Sequence, residues 1–193
     1  MKKSGMFTFS VVVVLVLAFA LAGCGKKQFE PVPIAEGVDR CIVCNMLIAD
    51  DHNATEIILK DGKPLKFDDI GDMFAWLKQN GADNVAVRYV RDYQTKDWVK
   101  LEEATFVYDK SLKTPMAFGV FSFKDRKQAE AFISEQKYGK LMTLADLEAH
   151  HWERNQEMMK DMKKGHMGKG QMGQGHMGSN RGETGGTPDK GAQ

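Results

Sequence analysis

Apolar and polar residues alternate along the chain just after residue 54. In ATEIILKDGKPLKF this alternation flanks the turn residues 60–63, which predicts a β-hairpin. The next stretch, DDIGDMFAWLKQNG, has apolar residues at helical spacing. Asp68 or Asp69 can cap this helix, and Gly81 can end it. The following run, VAVRYV, predicts another strand, so the order is strand, strand, helix, strand over about residues 54–91.

The same order returns in the second half of the chain. ATFVYDK and MAFGVFSF predict two strands, and KDRKQAEAFISEQKYG predicts a helix. Phe67, Asp69 and Ala75 recur as Phe123, Asp125 and Ala131 at one constant offset. We therefore expect an α+β fold of two tandem ββαβ repeats with antiparallel sheets, the second over about residues 104–142. The segment TLADLEAHHWERNQEMM predicts a last helix that closes the domain.

The two ends of the chain differ from its middle. Residues 1–23 combine two lysines with an apolar run, as in a secretory signal peptide, and the run ends in Leu-Ala-Gly-Cys24, which looks like a bacterial lipobox. That resemblance implies a lipid on Cys24 and an extracytoplasmic domain anchored to the membrane. Residues 24–37 are predicted to be a tether, residues 38–155 the packed domain, and residues 156–193 a disordered tail rich in Gly, Met and His.

Charge and cysteine content narrow the possible functions. The chain has 27 basic and 26 acidic residues and a net charge of +1, which argues against a nucleic-acid partner. With Cys24 lipidated, only Cys41 and Cys44 remain as thiols. Two cysteines separated by two residues are too few and too close to form a stabilising disulfide framework.

The segment CIVCNM places two thiols and a thioether within six residues. In an extended segment the side chains of Cys44 and Met46 point the same way, and Cys41 can fold back from one turn upstream. Soft sulfur ligands select Cu(I), and a thioether binds without losing a proton. The segment therefore predicts a Cu(I) site.

Two other functions compete for this motif. A structural zinc site needs a second pair of ligands at recognisable spacing, and His52, His150 and His151 do not supply one. A thiol oxidoreductase places CxxC at a helix N-terminus within a βαβ unit, whereas here the motif precedes a hairpin. Asp68, Asp69 and Asp72 are interpreted as the acidic first turn of a helix.

Three segments together, DRCIVCNM, PLKFDDIGDMFAWL and TPMAFGVFSF, resemble the NosL family of lipoproteins. The resemblance covers the chain from the lipobox to about His150. It implies a Cu(I)-binding chaperone, not an enzyme, that serves the maturation of nitrous oxide reductase together with other maturation proteins. It also implies a paired ββαβ fold, in agreement with the repeats above.

The resemblance also implies a set of copper ligands. The family's Cys-x-Met corresponds to Cys44 and Met46, and a downstream methionine between small residues corresponds to Met116. Cys41 occurs in only some members of the family. Asn45 stands where the family usually has glycine, and asparagine is among the few residues that adopt left-handed backbone.

The C-terminal tail carries a separate pattern outside the resemblance. Methionine recurs every five residues, and two of these methionines follow a histidine. Five is neither a helical nor a strand period, so the pattern does not predict a packed face. We interpret it as an auxiliary copper site formed by Met162, His166, Met167, Met172, His176 and Met177.

Overall fold

Two antiparallel sheets, each packed against one long helix, form the domain. The computed structural model describes residues 29–170, without the side chains of residues 163 and 165–170. The first sheet has the strand order β2-β1-β3-β4 and packs against helix α1. The second has the order β6-β5-β7 and packs against helix α2. The elements are β1 (Thr55–Leu59), β2 (Pro64–Phe67), α1 (Ile70–Asn80), β3 (Val85–Arg91), β4 (Trp98–Lys100), a 3-10 turn (Leu101–Glu103), β5 (Thr105–Tyr108), β6 (Val120–Phe123), α2 (Arg126–Gln136), β7 (Lys140–Met142), α3 (Leu144–Glu148) and α4 (Gln156–Gly170).

The two predicted repeats are confirmed as structural equivalents. In each, the first strand lies between its hairpin partner and the strand that follows the helix. Thr55 pairs with Phe67 in the first hairpin, and Thr105 pairs with Phe123 in the second. Asp69 and Asp125 cap α1 and α2, each accepting a hydrogen bond from a backbone N–H of the first turn. The predicted fold class, α+β with antiparallel sheets, is therefore correct.

The hairpins of the two repeats differ in the length of their connection. Residues 60–63 join β1 to β2, whereas residues 109–119 join β5 to β6. The longer connection reaches across to the first repeat, where the backbone N–H of Met116 donates to the Asp69 carboxylate at 2.9 Å. Next to it the Phe118 ring lies so close to Gly71 that a Cβ on that residue would stand 2.1 Å from a ring carbon. The second repeat thus covers the N-terminus of α1.

The last part of the predicted tether is packed against the first sheet. Ile34 is 8% exposed and belongs to the core. The N–H of Val32 donates to the Glu56 carboxylate at 2.9 Å, and the Tyr89 hydroxyl donates to the carbonyl of Phe29 at 2.8 Å. The structure differs from the prediction here because Ile34, the apolar residue after the second proline, is buried in the core of the first repeat.

The C-terminal region also differs from the prediction. The single closing helix is two, α3 and α4, separated by an irregular segment in which Trp152 stacks on Phe74 with ring centroids 4.6 Å apart. Residues 156–170, predicted to be disordered, form α4. The reason is local: residues 156–164 are good helix formers, and the glycine-rich composition begins only at residue 165.

None of the helices between residues 29 and 170 has the length and apolarity needed to cross a membrane.

Candidate metal centre

A short loop that precedes β1 carries both thiols. Its two arms, residues 39–41 and 46–48, are joined by two backbone hydrogen bonds, Cys41 N–H to the Met46 carbonyl at 2.9 Å and Ile48 N–H to the Asp39 carbonyl at 3.0 Å, which pair Arg40 with Leu47 in an antiparallel bridge. The Arg40 guanidinium closes the loop by donating to the Asn45 carbonyl. Asn45 adopts a left-handed backbone with φ of 61°, a conformation that asparagine tolerates better than most residues. We call residues 39–48 the Cys loop; its hydrogen bonds fix the positions of both cysteines.

The Cys loop brings its thiols to the first turn of α1. The Cys41 thiol donates to Asp72 Oδ2 at 3.2 Å, and the Cys44 thiol donates to the Asp68 carboxylate at 3.3 Å. One ligand atom from each of these four residues lies within 4.8 Å of the other three. Two thiols and two carboxylates therefore form a compact group that is able to hold a metal ion, and we call it the Cys–Asp cluster.

Burial sets the protonation of this cluster. Cys41 is 2% exposed, and desolvation raises the pKa of its thiol to about 11. Desolvation also raises the pKa of the partly exposed Cys44 thiol and that of the Asp68 carboxyl. Both thiols are therefore protonated at neutral pH when no metal is bound. Asp72 is fully buried, and its second oxygen accepts a hydrogen bond from the Arg154 guanidinium at 3.2 Å.

The two methionines predicted as ligands flank the cluster. Met46 lies on the Cys loop with a side chain 46% exposed. Met116 is buried, and its backbone bonds to Asp69, the residue next to Asp68. The structure thus joins Cys41 and Cys44 directly in one cluster and places the backbones of both methionines beside it. The role of either thioether as a ligand stays a prediction.

Sequence reasoning missed the two carboxylates of the cluster. Asp68 and Asp72 were interpreted only as the acidic start of a helix, a role that Asp69 fills as the N-cap. The signal lay in their number: a helix needs one cap, and here three aspartates occur within five residues.

Two of the histidines that were given no role pack against aromatic side chains. His52 packs against Tyr93 and Phe121, and His150 packs against Tyr108 and Trp152.

Few of the predicted tail and anchor residues can be placed. Met162 lies on α4 and is half-buried. His166 and Met167 lie within the same helix. The remaining predicted residues lie outside the described part of the chain: Cys24, Met172, His176 and Met177.

Comparison with known proteins identifies the family. The NosL family model matches residues 31–152, which is more than half of the chain. The chain belongs to the NosL family. It is 30% identical over 131 residues to the copper-binding lipoprotein NosL of Stutzerimonas stutzeri, a match that covers 61% of this chain and 68% of that protein. It also resembles the crystal structure of the copper chaperone NosL from Shewanella denitrificans, with 26% identity, a TM-score of 0.53, and coverage of 60% of this chain and 93% of that one.

The donor set of this NosL protein suits a soft or borderline metal ion. The thiolates of Cys41 and Cys44 favour Cu(I), whereas carboxylate oxygens are hard ligands that Cu(I) does not seek. The two aspartates complete a four-ligand set of the kind that zinc accepts. Asp68 and Asp72 thus supply the second pair of ligands whose absence from the sequence pattern counted against zinc.

Proposed function

We propose that this NosL protein is a Cu(I)-binding metallochaperone and not an enzyme. The observation that carries the proposal is the Cys–Asp cluster, in which the buried Cys41 thiol and the partly exposed Cys44 thiol face two carboxylates within 4.8 Å at the start of α1. The names of its relatives, a copper-binding lipoprotein and a copper chaperone, support copper as the ion.

Loading follows from the chemistry of the thiols. Cu(I) replaces the protons of Cys41 and Cys44, so two S–H bonds break, two Cu–S bonds form, and two protons leave to solvent. Copper remains Cu(I), and no electron is transferred. In the free protein Asp68 and Asp72 accept the hydrogen bonds of the two thiols, so these carboxylates are the groups nearest to the protons that leave. Met46 and Met116 add neutral thioether donors that need no deprotonation.

Release requires a second set of ligands to reach the ion. Met46 is exposed and Cys44 is partly exposed, while Cys41 is buried. A client presenting soft ligands would therefore engage the ion from the side of Met46 and Cys44, and copper would pass by stepwise ligand exchange. The family resemblance favours apo nitrous oxide reductase and its maturation proteins as the clients. The lipobox at Cys24 favours an extracytoplasmic position held by a lipid anchor.

A thiol oxidoreductase is the alternative, and two observations count against it. Redox CxxC motifs depend on a thiolate stabilised by a lowered pKa, often at a helix N-terminus. Here burial raises the pKa of both thiols, and carboxylates face them. An insulin-reduction assay with the purified protein should accordingly give no activity above background.

The deciding experiment is a Cu(I) titration against a colorimetric chelator under anaerobic reducing conditions, with Zn(II) titrated in parallel. We expect tight Cu(I) binding that Cys44→Ser weakens by more than the roughly 10- to 100-fold typical of losing a supporting residue. Equal Cu(I) affinity in wild type and Cys44→Ser would sink the proposal. Tighter binding of Zn(II) than of Cu(I) would replace copper with zinc.

The thioethers need a matched control because buried methionines also support the fold. Met116 is 5% exposed and Met142, in the second repeat, is 3% exposed. Met116→Leu and Met142→Leu should therefore lower stability similarly. Only Met116→Leu, and Met46→Leu on the Cys loop, should weaken Cu(I) binding. A Met142→Leu variant that loses as much affinity as Met116→Leu would remove Met116 from the ligand set.

A further inference from the structure

Helix α4 begins on the connection that carries Met116. The backbone N–H of Asn155 donates to the carbonyl of Ala117 at 2.9 Å, and its side-chain amide donates to the carbonyl of Lys110 at 2.8 Å. The carbonyl oxygen of the same side chain caps α4 by accepting from the N–H groups of Glu157 and Met158. Two hydrogen bonds from Asn155 thus attach the start of the helix to the 109–119 connection, and two more to its side chain cap the helix.

This attachment point adjoins the Cys–Asp cluster. Arg154, one residue before the cap, donates to Asp72 at 3.2 Å and stands over the Phe118 ring at 5.1 Å. Ala117, which receives the Asn155 N–H, follows Met116, and the N–H of Met116 donates to Asp69. Both contacts connect the first residues of α4 to the first turn of α1.

Three methionines lie together in the first turns of α4. Met159 and Met162 are separated by three residues and Met158 and Met162 by four, so their side chains are neighbours on the helix surface. All three are half-buried, whereas Glu157, Lys160 and Asp161 are exposed. Among the described residues, neither hydrophobic core cluster includes any of the three. The first two turns of α4 thus present three thioethers together on one half-buried face.

We propose that Met158, Met159 and Met162 form a second Cu(I) site, weaker than the thiol site, from which copper passes to the Cys–Asp cluster. Three thioethers bind a soft monovalent ion without releasing a proton, and they discriminate against Zn(II) and Cu(II). The long, unbranched methionine side chain adapts to the ion as it arrives and leaves. The passage of copper to the thiols rests on the proposed function, but the binding of copper by the thioethers does not.

The test compares two triple variants of the full chain. Met158→Leu, Met159→Leu and Met162→Leu together keep size, apolarity and helix propensity while removing the thioethers. The comparison variant Met167→Leu, Met172→Leu, Met177→Leu removes the same number of thioethers from the auxiliary site predicted for the tail, so any loss of copper in it reports on that site and not on the one proposed here. In anaerobic Cu(I) titrations we expect the first variant to bind one Cu(I) fewer than wild type, with the affinity of the tightest site unchanged. Unchanged stoichiometry in the first variant would overturn the proposal.

A spectroscopic readout identifies the ligands directly. In protein labelled with ¹³C at the methionine methyl groups, Ag(I), a redox-inert stand-in for Cu(I), should shift the three α4 methyl resonances. Shifts confined to methionines after residue 164 would also overturn the proposal. The double variant Cys41→Ser, Cys44→Ser separates the two sites. If its α4 methyl groups still shift, the thioether site stands whether or not the thiols bind copper. If wild type binds tightly but the α4 methyl groups never shift, only the thioether site fails.

Discussion

The N-termini of α1 and α2 occupy equivalent places in the two repeats but differ in their chemistry. Each helix follows a strand ending in phenylalanine and is capped by an aspartate two residues later. Around that shared cap, α1 has aspartates at positions 68 and 72, and α2 has Lys124 and Gln128 at the matching positions. Asp68, Asp69 and Asp72 are at most 3% exposed, whereas Lys124 and Asp125 are exposed.

This difference explains why the same strand–helix arrangement forms the Cys–Asp cluster in the first repeat and only a helix cap in the second. A helix N-terminus favours carboxylates through its dipole, and the exposed start of α2 uses one for capping alone. At α1 the Cys loop and the 109–119 connection exclude water from three carboxylates. Burying carboxylates costs free energy unless they have hydrogen-bond or ion-pair partners. Here the two thiols donate hydrogen bonds to Asp68 and Asp72, and Arg154 forms an ion pair with Asp72.

The largest predicted effect tests the cover over α1. Gly71→Ala places a Cβ 2.1 Å from the Phe118 ring, so the 109–119 connection must move. We expect the free energy of unfolding to fall by about 2–3 kcal/mol, as for overpacking of a closed core. Urea unfolding followed by tryptophan fluorescence measures this, and Cu(I) affinity should fall as well because Met116 moves with Phe118.

Lys127→Ala is the control in the second repeat, since Lys127 holds the position in α2 that Gly71 holds in α1. This side chain is exposed, so its loss should change the free energy of unfolding by less than about 0.5 kcal/mol. Equal destabilisation by the two substitutions would mean that the contact between Phe118 and α1 is not what distinguishes the two helices.

Local signals in the sequence predicted the frame of the fold but only half of the cluster. The Lys-Asp-Gly-Lys turn and the cap at Asp69 each depend on a few neighbouring residues, and the constant offset between the repeats adds the equivalent cap at Asp125. All three were confirmed. Cys41 and Cys44 were recognised because thiols carry chemistry wherever they lie. Asp68 and Asp72 lie 24 and 31 residues from the cysteines whose thiols they contact. The residues next to an aspartate in the sequence do not indicate which distant side chain will pack against it.

The central strands of the two sheets provide a second contrast. β1 contains Glu56, which is fully buried, while the matching position of β5 is Phe106. One Glu56 oxygen accepts the Val32 N–H, and the other has no partner among the described residues. Burial raises the pKa of Glu56 from 4.5 to about 7 despite that hydrogen bond. The first repeat therefore has a carboxyl with a pKa of about 7 at the position where the second repeat has a phenyl ring.

This contrast predicts a pH dependence of stability. Between pH 4.5 and 7 the unfolded chain ionises at Glu56 while the folded protein keeps the proton, so the free energy of unfolding falls as pH rises. Glu56→Gln cannot ionise and still accepts the Val32 N–H. We expect Glu56→Gln to gain about 1–2 kcal/mol relative to wild type between pH 4 and pH 8, a figure reduced from the full shift to allow for solvent screening. Urea unfolding at both pH values measures it.

Glu130→Gln is the control for this titration, because Glu130 is an exposed carboxylate on α2 paired with Arg126. Its effect on the free energy of unfolding should be below about 0.5 kcal/mol at both pH 4 and pH 8, as for an exposed surface pair. If Glu56→Gln tracks wild type in the same way, Glu56 does not bind its proton more tightly in the folded protein.

The smallest predicted effect concerns the other ends of the two helices. α1 ends at Gly81 with φ of 74°, whereas α2 ends at Lys137 with φ of 63°, in the left-handed region that a Cβ disfavours. Lys137 is exposed, so glycine there loses no buried contact while relieving this strain. Lys137→Gly should raise the free energy of unfolding by about 0.5–1 kcal/mol and leave Cu(I) affinity unchanged. If Lys137→Gly is destabilising in urea unfolding, the lysine side chain itself supports the end of α2, and the two helices end by different means.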